Sequence, residues 1–192
     1  MQDSRARGSS VDIDDQALRD NVRPADWCNP KPREPYHLLV IGAGPAGLVA
    51  ARGAAALGAR VALIERHLLG GDCLNSGCVP SKTLIRTARL YAEMRDAENF
   101  GARQPNEIDV DCAMAMRRMR RIRSRISRVD SAARLTADGI DVFFGTARFV
   151  SADTVDVDGT RLRFRKAMIA TGSRPILQIG RASCRERVLA SV

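Results

Sequence analysis

The sequence predicts an α/β fold: a parallel sheet packed with helices, plus a small β-meander. Three observations predict it. An apolar run from His37 to Ile41 meets glycines at once, then an Ala-rich helical stretch, then a second apolar run, all within about 30 residues. That is the layout of a βαβ unit. Two long segments with apolar residues every three or four positions follow, as amphipathic helices require. After Gly139 the pattern changes to short alternating runs separated by turn residues, which is β-sheet behaviour.

Residues 1–35 read as an arm and linker. Pro24, Pro30, Pro32 and Pro35 punctuate it and favour extended backbone. Two readings of the arm stand side by side: Trp27 pins it to the domain, or it is a free tail. His37–Ile41 has the continuous apolar character of a buried parallel strand. Leu48–Leu57 is a helix whose alanines allow close approach to a sheet, and Gly58 ends it. Arg60–Glu65 is the second strand, with Val61, Leu63 and Ile64 apolar.

A long helix is expected from Ser81 to about Phe100, with Leu84, Ile85, Ala88, Tyr91, Ala92 and Met94 as its apolar face. A loop around Gly101 and Pro105 leads to a second long helix, Val110–Ala137, striped by Met116, Met119, Ile122, Ile126 and Val129. Ile140–Phe144 is a strand. Arg148–Val150, Thr154–Val157 and Arg161–Phe164 form the meander, with turns at 151–153 and 158–159. Lys166–Ala170 is a last strand, closed by Ala170-Thr171-Gly172.

Composition narrows the function classes. The chain has 192 residues, a formal net charge of +9 and five cysteines. Arg117, Arg118, Arg120, Arg121, Arg123, Arg125 and Arg128 crowd one helix, so a nucleic-acid-binding module is the rival class. The apolar stripe on that helix argues instead for a packed helix with its arginines in solvent, and aromatics at 4% are too few for a base-stacking platform. No nucleic acid is expected. No run of about 18 apolar residues is present, so no membrane span is expected. The first 30 residues lack the apolar core of a secretory signal, and a cytoplasmic setting is the default. There a close cysteine pair serves chemistry more often than stapling. His37 and His67 do not complete a zinc pattern with the cysteines, and no metal site is expected.

Gly42-Ala43-Gly44-Pro45-Ala46-Gly47 is a G-x-G-x-x-G motif with a strand before it, a helix after it and Glu65 closing the next strand. Gly42 permits the tight turn, Gly44 lets the backbone approach a pyrophosphate, and Gly47 lets helix and strand pack closely. The helix N-terminus offers N–H groups to phosphate, and Glu65 can accept from ribose hydroxyls. Just downstream stands Gly70-Gly71-Asp72-Cys73-Leu74-Asn75-Ser76-Gly77-Cys78-Val79-Pro80-Ser81-Lys82. The four residues between Cys73 and Cys78 can form one helical turn and bring the sulfurs within bonding distance. Lys82 lies one turn beyond Cys78, where its charge favours a thiolate. Two buried inert thiols are the plain alternative.

That cysteine segment resembles the redox-active segment of class I pyridine nucleotide–disulfide oxidoreductases, a family that includes mercuric reductase, dihydrolipoamide dehydrogenase and glutathione reductase. The likeness runs from Tyr36 to Pro175 and takes in Gly145-Thr146-Ala147-Arg148-Phe149 and Ala170-Thr171-Gly172. The Val-Pro-Ser-Lys ending is most similar to mercuric-reductase-like members. The resemblance implies a Rossmann-like FAD-binding domain, truncated. It implies that Gly42, Gly44, Ala46, Gly47 and Glu65 hold the ADP half of FAD. It implies that Asp72 and Lys82 lie along the ribitol and flavin, that Gly71 also belongs to the cofactor site, that Ala147 touches the adenine side, and that Thr171 and Gly172 line the site. It further implies that NAD(P)H reduces the flavin, that Cys78 is the flavin-side sulfur and charge-transfer thiolate, and that Cys73 is the interchange thiol. Asp72 departs from the threonine common at its position; an ionised carboxylate can only accept.

Expectations about the whole follow: the acceptor, the dimer and the missing domains from the resemblance, and the tail from a separate likeness. The acceptor is a small molecule or metal ion, mercuric ion first and lipoamide second, and the full-length parent is a homodimer. Residues 36–177 are an incomplete FAD-binding domain that lacks the second glycine-rich motif and the dimerisation domain, so the fragment alone is not competent. Residues 178–192, including Cys184, read as a non-native tail, since Ile179–Val188 resembles one frame of a sequencing adapter.

Overall fold

Strand β1 (Tyr36–Ile41) lies at the centre of a mixed six-stranded sheet. The computed structural model describes residues 12–33, 35–103 and 107–173. β1 pairs in parallel with β2 (Val61–Glu65), which pairs in parallel with β3 (Ile140–Phe144). On its other side β1 pairs in parallel with the second half of β6 (Thr160–Ile169). The first half of β6 pairs antiparallel with β5 (Thr154–Val157), and β5 with β4 (Ala147–Ser151). The order is β3-β2-β1-β6-β5-β4. This is a Rossmann-like α/β fold carrying a meander on one edge.

Period-two alternation divides the strand residues between two cores. Val40, Leu63 and Val142 face the helical side, where Leu48 and Ala51 of α2 (Pro45–Ala56) pack. Leu39, Ala62, Ile64 and Phe143 face the other side, where Val155, Val157, Leu162 and Phe164 of the meander cover them. Both faces of β1–β3 are therefore buried, which is why these strands read as continuous apolar runs. Full burial of each such side chain contributes about 1.5–3 kcal/mol.

Several expectations need correction. The N-terminal arm is not extended throughout: residues Ile13–Val22 form helix α1. The Asp12 side chain accepts from the Asp14 N–H, Asp14 and Asp15 sit in the first turn, and Leu18 and Val22 are buried. These are N-capping and dipole effects that outweigh the prolines further along. Past α1, Trp27 meets Phe144 edge-to-face at 5.7 Å, so the arm is pinned.

The cysteine segment is not one helical turn. α3 (Gly71–Asn75) ends before Ser76-Gly77, and α4 (Cys78–Arg95) begins afresh. Half of the predicted apolar face of α4 is in solvent: Leu84, Ile85 and Ala88 are exposed, Tyr91, Ala92 and Met94 are half-buried, and Thr83 is its buried residue. A 3-10 turn, Ala97–Phe100, then leads to Gly101 at φ +75°.

The long second helix is two. α5 (Cys112–Ser127) and α6 (Ala132–Ala137) are separated by a turn where the Ser131 hydroxyl caps the Arg134 N–H. Arg52 of α2 holds that turn, reaching the Val129 carbonyl, Asp130 at 3.1 Å and Asp138 at 3.3 Å. The buried stripe of α5 is also rotated from the one expected. Met119, Ser124 and Ser127 are buried, while Ile126 and Val129 are exposed. Arg120 and Arg123, expected in solvent, pair with Asp12 and Asp15 around α1. Finally, the two predicted strands 161–164 and 166–170 are one strand, β6, shared by both parts of the sheet.

No helix of the described residues is long and apolar enough to cross a membrane. The segment 178–192 lies outside the described residues.

Candidate functional site

The carboxyl ends of β1, β2 and β6 meet at one crevice, the place where open α/β sheets bind ligands. Gly42 leaves β1 at φ +103°, and a Cβ there would lie 2.3 Å from the Ala170 carbonyl oxygen. Only glycine permits that turn against the segment after β6. Gly47, one turn into α2, would drive a Cβ to 1.9 Å from the Gly42 carbonyl oxygen. Gly44 is the N-cap of α2 and caps nothing with a side chain. Pro45 supplies no N–H, so the first-turn amides that follow are directed to the crevice for an anion.

A groove of about 650 Å³ opens here. Gly42, Gly44 and Ala46 form one wall, Gly71, Asp72 and Cys73 another, and Glu65, Thr171 and Gly172 the floor. It continues past Gly42, Glu65 and Gly172 into a hollow of about 400 Å³ that reaches Ala147 at the start of β4. Ten of the residues singled out in the sequence, Cys73 among them, thus line one continuous groove. Gly47 lies behind the wall. Cys78 and Lys82 lie on the first turns of α4, both exposed.

Glu65 is already engaged. Its Oε2 accepts from the Ala43 N–H and its Oε1 from the His67 N–H, both at 2.8 Å. Asp72 turns back on its own segment: its carboxylate accepts from the Ser76 hydroxyl, and its carbonyl from the Gly77 N–H at 2.6 Å. Gly77 makes this possible, since a Cβ there would stand 2.6 Å from Asp72 Oδ2. The carboxylate acts here purely as an acceptor, closing α3 on its own segment.

Cys73 and Cys78 are free thiols in hydrogen-bond contact. That contact pushes the Cys73 thiol above the ordinary thiol range, helped by desolvation and by the charges of Cys78 and Asp72. Lys82 pulls the other way, toward thiolate. The helix break at Ser76-Gly77 brings the two sulfurs together, so their proximity comes from a kink and not from helical repeat.

Sequence reasoning missed Arg66, His67 and Asn75, which also line the groove. Arg66 and His67 directly follow Glu65, and adjacency to the acidic strand end was the available signal. Asn75 had none. It donates both amide hydrogens, to the Leu69 and Gly71 carbonyls, and its Oδ1 is buried without a partner. A hydroxyl-bearing ligand in the groove would satisfy that oxygen. The glycine cradle, the open helix end and this orphaned acceptor fit a dinucleotide. Among the described residues no group of His, Cys, Asp and Glu is arranged to hold a metal ion.

Sequence comparison places residues 36–186 in a family described as pyridine nucleotide-disulphide oxidoreductase. The dihydrolipoyl dehydrogenase of Acholeplasma laidlawii is 34% identical over 142 residues, covering 74% of this chain and 42% of that protein. The mercuric reductase of Lysinibacillus sphaericus is 37% identical over 142 residues, covering 74% of this chain and 26% of that protein. Among solved structures, the HOCl-induced flavoprotein disulfide reductase RclA from Escherichia coli superposes with a TM-score of 0.60 at 27% identity, over 74% of this chain and 29% of that one. The chain therefore spans less than half the length of these relatives.

Proposed function

This chain belongs to the pyridine nucleotide-disulphide oxidoreductase family, and from that premise we propose that it is the FAD-binding, dithiol-bearing part of a flavoprotein that passes electrons from NAD(P)H to an acceptor. One observation carries the reading: Cys73 lines the same groove as the glycine turn and Glu65. Nucleotide cradle and reactive sulfur share one cavity.

FAD, when bound, supplies the electron-carrying ring that no side chain provides. The chain's own residues do the rest. Gly42, Gly44 and Ala46 present backbone to the pyrophosphate, Gly47 lets α2 pack closely behind them, and Glu65 accepts from the ribose. Ala147, Thr171 and Gly172 line the adenine end, while Gly71 and Asp72 shape the wall beside the dithiol. Asn75 Oδ1 offers an acceptor to a sugar hydroxyl. Lys82 favours thiolate in the pair. By the family resemblance Cys78 takes the cofactor-side role and Cys73 attacks the acceptor, since exchange needs an accessible thiolate approaching in line; of the two, Cys73 lines the groove and Cys78 is exposed on α4.

The acceptor is mercuric ion in the first reading, which the Val79-Pro80-Ser81-Lys82 ending favours. A second reading, a carbon-chain disulfide of the lipoamide kind, is favoured by an independent feature. Beside Cys73 lies a hollow of about 280 Å³ lined mainly by Pro45, Leu48, Val49, Leu74, Val79 and Ile126, with the Arg52–Asp130 ion pair also on its wall. Apolar walls suit an alkyl disulfide better than an aquated ion. The protein works in the cytoplasm, as a homodimer at full length, with no nucleic acid and no membrane among its partners.

Turnover of NAD(P)H by the full-length protein against lipoamide and mercuric ion tests the reading. It predicts activity with one of them and its loss in Cys73→Ser. Activity retained in Cys73→Ser contradicts it.

A further inference from the structure

Residues 12–33 lie ahead of the family match, which begins at residue 36, yet they support the groove from behind. Arg23 follows α1. Its Nη1 donates to the Arg66 carbonyl at 3.1 Å and to the His67 carbonyl at 3.0 Å. Its guanidinium stands over the Phe144 ring, 4.5 Å from the centroid. The Val22 carbonyl accepts from the Leu69 N–H at 3.2 Å. Two consecutive residues of the arm thus hold the segment that follows β2, and that segment lines the groove.

One peptide unit is pinned at both ends. The carbonyl of Arg66 takes Arg23, and the N–H on the same peptide, that of His67, donates to Glu65 Oε1 at 2.8 Å. Glu65 Oε2 in turn accepts from the Ala43 N–H in the glycine turn at 2.8 Å. A line of polar contacts runs from a cation, through a peptide plane, to a carboxylate and on to the turn. A cation on the carbonyl polarises the peptide and strengthens its N–H as a donor. The result is a carboxylate held in one rotamer beside the groove.

Taking the groove as the FAD site, as proposed above, we propose that Arg23 is a positioning residue for the adenosine half. It touches no cofactor and acts through the Arg66–His67 peptide on Glu65. The arm has other anchors for its own packing. Trp27 and Asn29 meet Phe144, and Arg33 pairs with Asp141 at 2.8 Å. Arg23 alone among these reaches the loop after Glu65.

The test compares Arg23→Ala with Arg33→Ala in the intact chain, measuring dissociation constants for FAD and for ADP alongside the melting temperature. Arg23→Ala is expected to weaken both ligands roughly tenfold, the size of one lost charge-assisted hydrogen bond. Arg33→Ala is expected to lower the melting temperature and leave both affinities unchanged. In a Glu65→Gln background Arg23→Ala should add no further loss, because its effect travels through that carboxylate. Unchanged affinity in Arg23→Ala overturns the proposal. So does an equal loss in Arg33→Ala, or full additivity with Glu65→Gln. If Arg23→Ala does not fold, Arg23→Lys is read the same way, a partial loss of ADP affinity supporting the proposal and no loss overturning it. A wild-type protein that binds neither FAD nor ADP removes the FAD reading itself, a result distinct from all of these.

Discussion

Gly44 and Gly71 meet backbone to backbone: a Cβ on Gly71 would lie 2.7 Å from the Cα of Gly44. This contact joins the nucleotide turn to the cysteine segment. The two motifs are separate in the sequence, and the glycine pair lets them share a wall. The contact is asymmetric. A Cβ on Gly44 would stand 3.8 Å from Gly71 Cα, an ordinary distance, while Gly71 sits at φ +57° with no room.

The asymmetry predicts two different failures. Gly71→Ala destabilises the protein by about 1–3 kcal/mol through overlap and a left-handed backbone. Gly44→Ala keeps its stability to within about 1 kcal/mol and loses flavin, because its methyl occupies the space the pyrophosphate needs. Denaturant unfolding together with flavin content separates the two. Equal behaviour of both variants contradicts the assigned roles.

The thiol pair predicts a pattern of alkylation. Hydrogen bonding to Cys78 is the largest cause of the raised Cys73 pKa, and Lys82 opposes it. Cys78→Ala therefore speeds alkylation of Cys73 near pH 8, while Lys82→Gln slows it. In each variant the rate climbs with pH as thiolate forms. Iodoacetamide labelling followed by peptide mass spectrometry reads this directly. Faster labelling in Lys82→Gln is the contrary result.

Tyr36 predicts an alkaline limit. Burial pushes its hydroxyl above the usual phenol range; the Arg33 N–H on its oxygen works against this, and Asp141, which accepts at 2.7 Å, adds to it. A raised folded pKa contributes stability that is whole below the unfolded value, about pH 10, and is lost as pH rises from there toward the folded value. Urea unfolding at pH 8 and above pH 10 should show this loss in the wild type and a smaller one in Tyr36→Phe. The same loss in both places the alkaline sensitivity elsewhere.

Asn29 behaves as an extra strand residue. Its amide donates to the Phe144 carbonyl at 2.9 Å and its oxygen accepts from the Phe144 N–H at 2.8 Å, closing the free edge of β3. Asn29→Ala removes both bonds and leaves that edge open. A loss of about 1–3 kcal/mol in thermal or denaturant unfolding is expected. No loss means that water replaces the amide at no cost.

The βαβ core and the groove were legible because their residues are constrained locally. Gly42 and Gly47 answer to backbone collisions, and β1–β3 answer to burial on both faces. The turns at 151–153 and 158–159 were equally plain. What escaped depends on partners distant in sequence. The buried stripe of α5 could not be placed without α1, whose Asp12 and Asp15 take Arg120 and Arg123. The break after Ser127 needs Arg52, which arrives from α2. Arg23 carries no motif at all, and its reach to the loop after Glu65 exists only in the folded chain.

The central claim is that a flavin and the Cys73–Cys78 pair exchange electrons. Anaerobic reductive titration of the full-length protein tests it most directly. The account predicts uptake of two electrons per flavin plus two for the disulfide, with a long-wavelength charge-transfer band that disappears in Cys78→Ser along with the extra two electrons. A colourless protein, or identical uptake and spectrum in Cys78→Ser, would contradict it.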